Sequence, residues 1–216
     1  MNRKQLIGMV GAVIATAAVA LQAGSVATPS VELGGSIGAP RPAAPVLIAS
    51  GLQGASGSTV GPDGALYVTE GAPGRIARVD PETGARTTFA SGLPSWVVGL
   101  GGAIDVAFID GTAYALVTLV GPDVGGTNTV GIYRVDGPNT FTIVADIGTF
   151  AVLNPPRTQF DVPSGLQFAL QKYRGGFLVT DGHHNRVLSA TLDGAVSEVI
   201  GVSELSVRAG NAKLAR

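Results

Sequence analysis

The chain has 216 residues, of which 45% are hydrophobic and 13% are charged, and its formal net charge is −1. This composition excludes an intrinsically disordered chain, which needs low hydrophobicity and strong charge, and it provides no basic field for nucleic acid. The absence of cysteine removes disulfides, thiolate metal sites and cysteine nucleophiles.

Residues 1–27 are predicted to be a secretory signal peptide. Arg3 and Lys4 precede an uncharged apolar run at 6–21, and the small-residue motifs AVA at 18–20 and SVA at 25–27 are candidate cleavage sites. An uncleaved membrane anchor is the alternative, but this run is shorter than the ~20 apolar residues that span a bilayer. We therefore expect a bacterial protein that is secreted or held in the periplasm or cell envelope, with no transmembrane helix after cleavage.

Residues 28–45 are predicted to be a linker. Four prolines and three glycines fall within this segment. Each proline lacks a backbone donor and fixes φ, so the segment suits neither a strand nor a helix. The folded body is predicted to span residues 46–201, beginning near Val46.

The folded body contains an internal repeat. Residues 68–76 read VTEGAPGRI and residues 179–187 read VTDGHHNRV, so an acid precedes an arginine by five positions in both. A second marker, an apolar residue followed by aspartate, recurs at Asp80, Asp136 and Asp193 with spacings of 56 and 57 residues. Markers that recur in one order predict a repeat fold.

Each repeat holds about four short strands. In the first repeat we predict strands near 56–60, 65–70, 75–80 and 86–90, with the turn sequence GPDG at 61–64 between the first two. Four antiparallel strands every ~40 to 60 residues are typical of a β-propeller blade. A β-sandwich is the alternative, but it gives no reason for the acid–arginine pair to recur. The predicted fold class is all-β, a β-propeller of four-stranded antiparallel blades.

Three blades are predicted, at about 53–93, 103–147 and 163–200. Closed propellers have about four to eight blades. Residues 47–52 (LIASGL) resemble the end of the first blade (FASGL), which predicts an outer strand whose partner strands are missing. We expect half of a six-bladed ring, truncated at its C-terminus, with residues 202–216 as an irregular tail. The alternative is a natural half-ring that self-associates through its open blade edges.

The segment 181–186 is the main candidate for a polar ligand or metal site. It contains Asp181, His183, His184 and Asn185. Neighbouring side chains on extended backbone point to opposite faces, so the two histidines are not expected to share one metal ion. No further ligands at zinc spacing accompany them. We therefore expect no metal site here.

The repeat itself favours a structural role for the acids. Glu70 with Arg75 and Asp181 with Arg186 occupy matched positions, as expected of ion pairs within successive blades. A feature that recurs from blade to blade indicates scaffold, because a catalytic site needs one special position.

Asp105 and Asp161 are candidate ligands in the central channel, since both are predicted near the starts of innermost strands. Calcium needs six to eight oxygen ligands, which two carboxylates do not supply. Ser164 has no base within its motif and is a weak candidate for a nucleophile. We assign no catalytic residue and no cofactor, with Ca²⁺ as the alternative.

Taken together, these motifs resemble a known family. The segments 68–76 and 179–187 resemble the NHL-type repeat. With GPDGALYVTE at 61–70, DVAF at 105–108, YALVT at 114–118 and GGFLVTDGHHNRV at 175–187, the body resembles the ScyD/ScyE family, exported propellers associated with scytonemin biosynthesis. The resemblance covers about residues 46–200. It implies an exported six-bladed propeller with no established catalytic residues.

The leading functional hypothesis is a non-enzymatic exported propeller that acts as a scaffold or binds a ligand. Its expected partners are a small molecule, an envelope polymer or a protein, and not nucleic acid. The alternatives are a calcium-dependent lactonase or hydrolase and a non-functional truncated fragment. Fold alone does not decide among them, because propellers serve many functions.

Overall fold

The computed structural model describes residues 44–156 and 161–201. The predicted signal peptide, nearly all of the predicted linker and the predicted tail lie outside these residues. Two compact units divide the chain, Met1–Ile48 and Ala49–Arg216. The first unit is described only over 44–48, where it has no regular secondary structure, and the second holds every strand described below.

The second unit contains three four-stranded antiparallel sheets, each built from four consecutive strands in chain order. The strands of blade 1 are β1 Ala55–Val60, β2 Leu66–Glu70, β3 Arg75–Val79 and β4 Arg86–Ser91; those of blade 2 are β5 Gly102–Ile109, β6 Thr112–Thr118, β7 Gly131–Gly137 and β8 Thr140–Asp146; those of blade 3 are β9 Gln167–Tyr173, β10 Gly176–Asp181, β11 Arg186–Ala190 and β12 Val196–Gly201. The first strands lie side by side, β5 between β1 and β9. Consecutive four-stranded sheets whose first strands adjoin are the blades of a β-propeller, so the predicted fold class is confirmed.

The repeat motif is the register of the second hairpin in blades 1 and 3. Glu70 pairs with Arg75 across β2 and β3, and Asp181 pairs with Arg186 across β10 and β11. The four-residue turn between them ends in a left-handed residue, Gly74 in one blade and Asn185 in the other. Glycine and asparagine are the residues that adopt this conformation at least cost. The five-residue spacing of the acid and the arginine is therefore the length of this turn.

Side chains of alternate residues in blade 2 fill two separate cores. Ala115 and Val117 of β6 pack toward blade 1, where Ile76 is fully buried. Leu116 between them packs toward blade 3 against a cluster that includes Phe177. Because successive side chains of a strand point to opposite faces, this period of two buries both faces of blade 2. The burial of blade 2 joins the three blades into one body.

Blade 2 carries two elements that the sequence did not predict. The connection between β6 and β7 is long and contains a short 3-10 helix, Pro122–Val124. Helix α1, Ile147–Leu153, follows β8 directly, and the side chain of Asp146 caps it by accepting the amide of Thr149 at 2.8 Å. Among the described residues no helix has the length and hydrophobicity needed to cross a bilayer.

Residues 47–52 are predicted to form an outer strand whose partner strands are missing. None of the three sheets includes this segment, which has no strand or helix. A strand needs a neighbouring edge to satisfy its backbone groups, and no described strand pairs with these residues.

Candidate functional site

Several connections of the propeller meet at one end of the blades. In an antiparallel blade, the turn between the second and third strands lies at the same edge as the connection that enters the first strand. We call the described residues of five segments the connection face: the turns 71–74, 119–130 and 182–185, and the blade-to-blade connections 92–101 and 147–166.

Backbone hydrogen bonds tie these segments together. The amide of Gly148 donates to the carbonyl of Val130 at 2.9 Å, so the start of α1 lies against the β6–β7 connection. The amide of Gly182 donates to the carbonyl of Leu166 at 3.0 Å, which joins the β10–β11 turn to the segment entering β9. The segments 119–130, 147–166 and 182–185 are therefore bonded to one another through their backbones.

Asp181 is the centre of a buried polar network in blade 3. Its Oδ2 lies 2.9 Å from Nδ1 of His184 and 3.0 Å from Nε of Arg186. Its Oδ1 accepts the amide of Leu166 at 3.2 Å. The side chains of all three network residues are at most 2% exposed. Burial acts to raise the pKa of Asp181, but the hydrogen bonds and charges of His184 and Arg186 outweigh it, and the pKa is lowered.

The same network reaches the connection between blades 2 and 3. Nη1 of Arg186 donates to the carbonyl of Asn154, just beyond α1, at 2.8 Å. Nε2 of His184 lies 3.1 Å from the carbonyl of Val162, to which it donates because a carbonyl oxygen only accepts. Asp181, His184 and Arg186 thus fix the positions of Asn154 and Val162. We call these three side chains the blade-3 clamp.

The equivalent pair in blade 1 is simpler. Nε and Nη2 of Arg75 donate to the carboxylate of Glu70 at 2.6 and 2.9 Å, and the amide of Gln53 donates to it at 2.7 Å. The pKa of Glu70 is lowered, since these bonds outweigh burial. The side chain of Arg75 is 31% exposed, whereas that of Arg186 is 2% exposed. Both acid–arginine pairs are formed, but only the one in blade 3 is enclosed.

His183 and Asn185 lie on the turn and outside the clamp. His183 is half-buried, and burial together with the charge of His184 lowers its pKa, while Asp181 and Asp161 act in the opposite direction. The two histidine rings lie 5.5 Å apart between centroids. The expectation that their side chains point to opposite faces assumed extended backbone. It does not apply here, because both residues sit in the turn between β10 and β11.

Asp105 lies where the first strands of the three blades meet. On β5, its Oδ2 accepts the amide of Leu170 of β9 at 2.7 Å. A Cβ on Gly57 of β1 would lie 2.2 Å from Oδ1, so only glycine leaves room for the carboxylate there. Burial raises the pKa of Asp105, although its two backbone hydrogen bonds oppose that effect. Its carboxylate therefore connects neighbouring blades through the backbone of β9.

Asp161, the other candidate for the channel, is exposed and lies on the loop before β9 rather than on the strand itself. Across the described parts of the chain, no three side chains of histidine, aspartate or glutamate are grouped to hold one metal ion.

An open pocket of about 490 Å³ lies on the connection face, at the side of blade 2. Small-molecule sites typically enclose about 300 to 1,000 Å³. Three parts of the chain form it: the β6–β7 connection, helix α1 and Ser164. Its surface is mainly apolar, and its lining residues include Asp123, Val130, Asp146, Val152, Leu153 and Ser164.

Ser164 is a polar group that the fold leaves unsatisfied. Its amide donates to Oδ2 of Asp123 at 2.9 Å, and its carbonyl accepts from Nε2 of Gln167 at 3.1 Å. Its hydroxyl oxygen is buried and has no hydrogen-bond partner among the described residues. Buried polar atoms normally have partners, so this hydroxyl is an exception in a residue that lines the pocket.

The clamp and the pocket share the connection between blades 2 and 3. Asn154, which Arg186 holds, ends α1, and Leu166, which Asp181 holds, lies two residues after Ser164. The candidate residues at 181–186 therefore position one wall of the pocket and do not line it. The pocket was not predicted, and the one signal for it in the sequence is the insertion between β6 and β7.

No protein-family model matches the chain, and no curated protein matches it. It is similar to the solved structure of virginiamycin B lyase from Staphylococcus aureus, with a TM-score of 0.44 and 16% identity over 68% of this chain and 41% of the lyase chain. The PQQ-bound aldose sugar dehydrogenase from Streptomyces coelicolor gives a TM-score of 0.42 and 18% identity over 68% of this chain and 47% of its own.

An auxiliary nutrient binding protein from Bacteroides thetaiotaomicron gives a TM-score of 0.41 and 19% identity, covering 67% of this chain and 35% of the binding protein. The chain therefore spans less than half the length of each of these three proteins. Two of them are enzymes by name and one is a binding protein.

Proposed function

We propose that the protein is an exported, non-enzymatic β-propeller that binds a small molecule in the connection-face pocket. The observation that carries the proposal is the open, mainly apolar pocket of about 490 Å³ on the connection face. A molecule that covers its exposed apolar side chains, Val152 and Leu153, removes apolar surface from water.

The rigidity of the surroundings supports this proposal. The blade-3 clamp holds the carbonyls of Asn154 and Val162, and the backbone of Ser164 is bonded on both sides. A wall fixed in this way loses little conformational freedom when a molecule binds. The pocket therefore has the preorganisation of a binding site.

The chemistry of the walls favours binding over catalysis. A serine nucleophile needs a base within hydrogen-bond reach. The carboxylate that is hydrogen-bonded to Ser164 is that of Asp123, and it accepts the backbone amide and not the hydroxyl. Among the described residues, the hydroxyl of Ser164 thus has no base that would activate it as a nucleophile.

Export and family likeness complete the proposal. Residues 1–27 have the charge, apolar run and small-residue motifs of a signal peptide. The resemblance of residues 46–200 to the ScyD/ScyE family supports a role outside the cytoplasm. A bacterial envelope or extracellular ligand follows from both.

The binding site is tested by adding a panel of small amphipathic fragments to the full chain and following backbone amide NMR signals. We expect shifts at residues of the β6–β7 connection, α1 and Ser164. Val152→Trp should abolish them by filling the pocket, since Val152 lines it and is 54% exposed. Val199→Trp is the matched control, because Val199 on β12 is 51% exposed and lies outside the pocket. Shifts that survive Val152→Trp, or none from any fragment, contradict the proposal.

Export is tested by expressing the full gene in a bacterium and measuring the intact mass of the protein in each cell fraction. We expect a mature chain outside the cytoplasm that begins after residue 20 or after residue 27. A full-length chain confined to the cytoplasm would contradict export.

Calorimetric titration with CaCl₂ separates the binding proposal from the calcium-dependent hydrolase. That alternative predicts tight calcium binding with a rise in melting temperature. The binding proposal predicts neither heat nor a thermal shift.

A further inference from the structure

One face of blade 3 is turned away from blade 2. The other face, which includes Phe177 and Val179, packs in the core that blade 3 shares with blade 2. Successive residues of a strand point to opposite sides of the sheet, and directly paired residues of adjacent strands point to the same side. The register therefore places nine residues on the side away from blade 2, and we call them the open face: Ala169, Gln171, Tyr173, Leu178, Thr180, Val187, Ser189, Ser197 and Ile200.

Blade 1 shows what the equivalent face packs against. The repeat and the register place Tyr67, Thr69, Ile76 and Ala90 of blade 1 at positions that match Leu178, Thr180, Val187 and Ile200 of the open face. These four residues of blade 1 are at most 5% exposed, and three of them pack in the core shared with blade 2. On the open face, by contrast, Tyr173 is 41% exposed and Ile200 is 60% exposed. The open face is therefore the kind of surface that another blade buries.

The open face carries no charged side chain. None of its nine residues is aspartate, glutamate, lysine, arginine or histidine. Like charges that meet across an interface suppress association, so a face without charge can meet an identical face without this penalty. Its exposed apolar side chains gain free energy when a second surface removes them from water. The composition of the open face thus suits contact with its own copy.

Blade 1 does not offer a free surface for head-to-tail association. In such an arrangement, the open face of one copy would cover the face of blade 1 that is turned away from blade 2. Val68, Ala77 and Val79 on that face are only 6%, 4% and 1% exposed within a single chain. A face that is already buried provides little apolar surface for a second copy. Contact between the same face of both copies remains, and this arrangement closes as a two-fold dimer.

We infer that two copies of the chain associate through their open faces as a two-fold dimer. Leu178 and Val187 lie on the two central strands of the blade and form the middle of the contact. Tyr173 and Ile200, on the two flanking strands, add apolar surface around them. No residue of the open face lines the connection-face pocket, so this contact leaves the proposed binding site accessible.

Sedimentation velocity of the full chain over a range of concentrations tests the dimer. We expect an equilibrium between monomer and dimer that reaches the mass of the dimer and goes no further. A monomer at every concentration overturns the inference. Species that grow beyond the dimer as the concentration rises also overturn it, because they indicate head-to-tail contacts.

Two variants place a charge on the open face. Gln171→Glu keeps the size of the side chain, and Ile200→Glu replaces a side chain that is 60% exposed. Each variant brings two like charges into one contact, so the dissociation constant of the dimer should rise about a hundredfold. Ile143→Glu is the matched control and should leave the dimer unchanged, because Ile143 on β8 is 47% exposed and lies outside the open face. Unchanged melting temperatures show that the variants fold, and a dimer that survives both Gln171→Glu and Ile200→Glu overturns the inference.

Mixing two variants tests whether both copies use the same face. Ile200→Lys should weaken the dimer as Ile200→Glu does. An equal mixture of the two variants should regain the mass of the dimer, because opposite charges then lie in one contact. A mixture that stays monomeric contradicts the two-fold arrangement.

Discussion

Arg75 and Arg186 occupy the same position of the repeat, but their surroundings differ. The guanidinium of Arg186 is enclosed with Asp181 and His184 and holds Asn154, whereas Arg75 is partly in solvent. Glu70 and Asp181 are both 0% exposed, so removing either arginine leaves a buried carboxylate. The position of Arg75 is 31% exposed, so water can replace its guanidinium at Glu70, whereas the position of Arg186 is closed to water.

We therefore expect Arg186→Met to lower the free energy of unfolding by about 3 to 5 kcal/mol. Arg75→Met should lower it by about 1.5 to 3 kcal/mol, the value of hydrogen bonds to a charged group. Urea unfolding, followed by the fluorescence of Trp96, the single tryptophan, measures both variants. Equal losses would show that the enclosure of the blade-3 pair has no energetic consequence.

The carboxyl of Asp105 gives a pH dependence of stability. Because burial raises its pKa in the folded state, the folded chain binds this proton more tightly than the unfolded chain does. The resulting stabilisation is complete below the unfolded pKa and is lost as pH rises through the folded pKa. The Asp105→Asn variant has no titrating group at this position, so its stability does not decrease in this way as pH rises.

The stability of Asp105→Asn relative to the native chain should therefore rise with pH across that window and be constant above it. Urea unfolding of both proteins at a series of pH values, from acid to neutral, measures the difference. A difference independent of pH would mean that Asp105 has no raised pKa in the folded protein.

For single residues, the sequence predicted which side chains form ion pairs better than it predicted how deeply each side chain is buried. The five-residue spacing was enough to pair Glu70 with Arg75 and Asp181 with Arg186, because that spacing is local. The role of Ser164 could not be predicted, since its burial depends on Asp123, which is 41 residues away. The hydrogen bond between Asp105 and Leu170 could not be predicted for the same reason, because the two residues are 65 positions apart.

Among the elements, the β10–β11 turn is set by the conformation of one residue. Asn185 has φ 53°, and its counterpart Gly74 has φ 64°. A β-branched residue is strained there, because left-handed backbone costs an L-residue about 1 to 2 kcal/mol. We expect Asn185→Val to lower the free energy of unfolding by about this amount and Asn185→Gly to change it little.

Thermal and urea unfolding of the two variants measure this difference. If Asn185→Gly were as destabilising as Asn185→Val, contacts of the asparagine side chain, and not the backbone, would control the turn.

The strands and the irregular elements differ in how predictable they were. The four strands of blade 1 lie within one residue of the predicted ranges, because turn residues and period-two alternation mark their ends. Helix α1 was missed, since a seven-residue helix has too few turns to show helical periodicity. It is stabilised by the Asp146 cap and by packing on Val130, neither of which is a strong signal in the sequence.

Across the whole molecule, the repeat predicted the propeller because each blade is a local unit. The pocket could not be predicted in this way, since its walls come from blade 2, α1 and the segment before β9. These parts lie together only after the blades have packed and the blade-3 clamp has formed. The repeat motif describes residues within one blade, so it does not predict a pocket whose walls come from several parts of the chain.

The most direct test of ligand binding is a crystal structure of the protein soaked with the fragment that shifts the pocket signals most. We predict the fragment in the connection-face pocket, covering Val152 and Leu153 of α1. An empty pocket at a concentration that saturates the protein in solution, or the fragment bound elsewhere on the propeller, would contradict the proposed binding site.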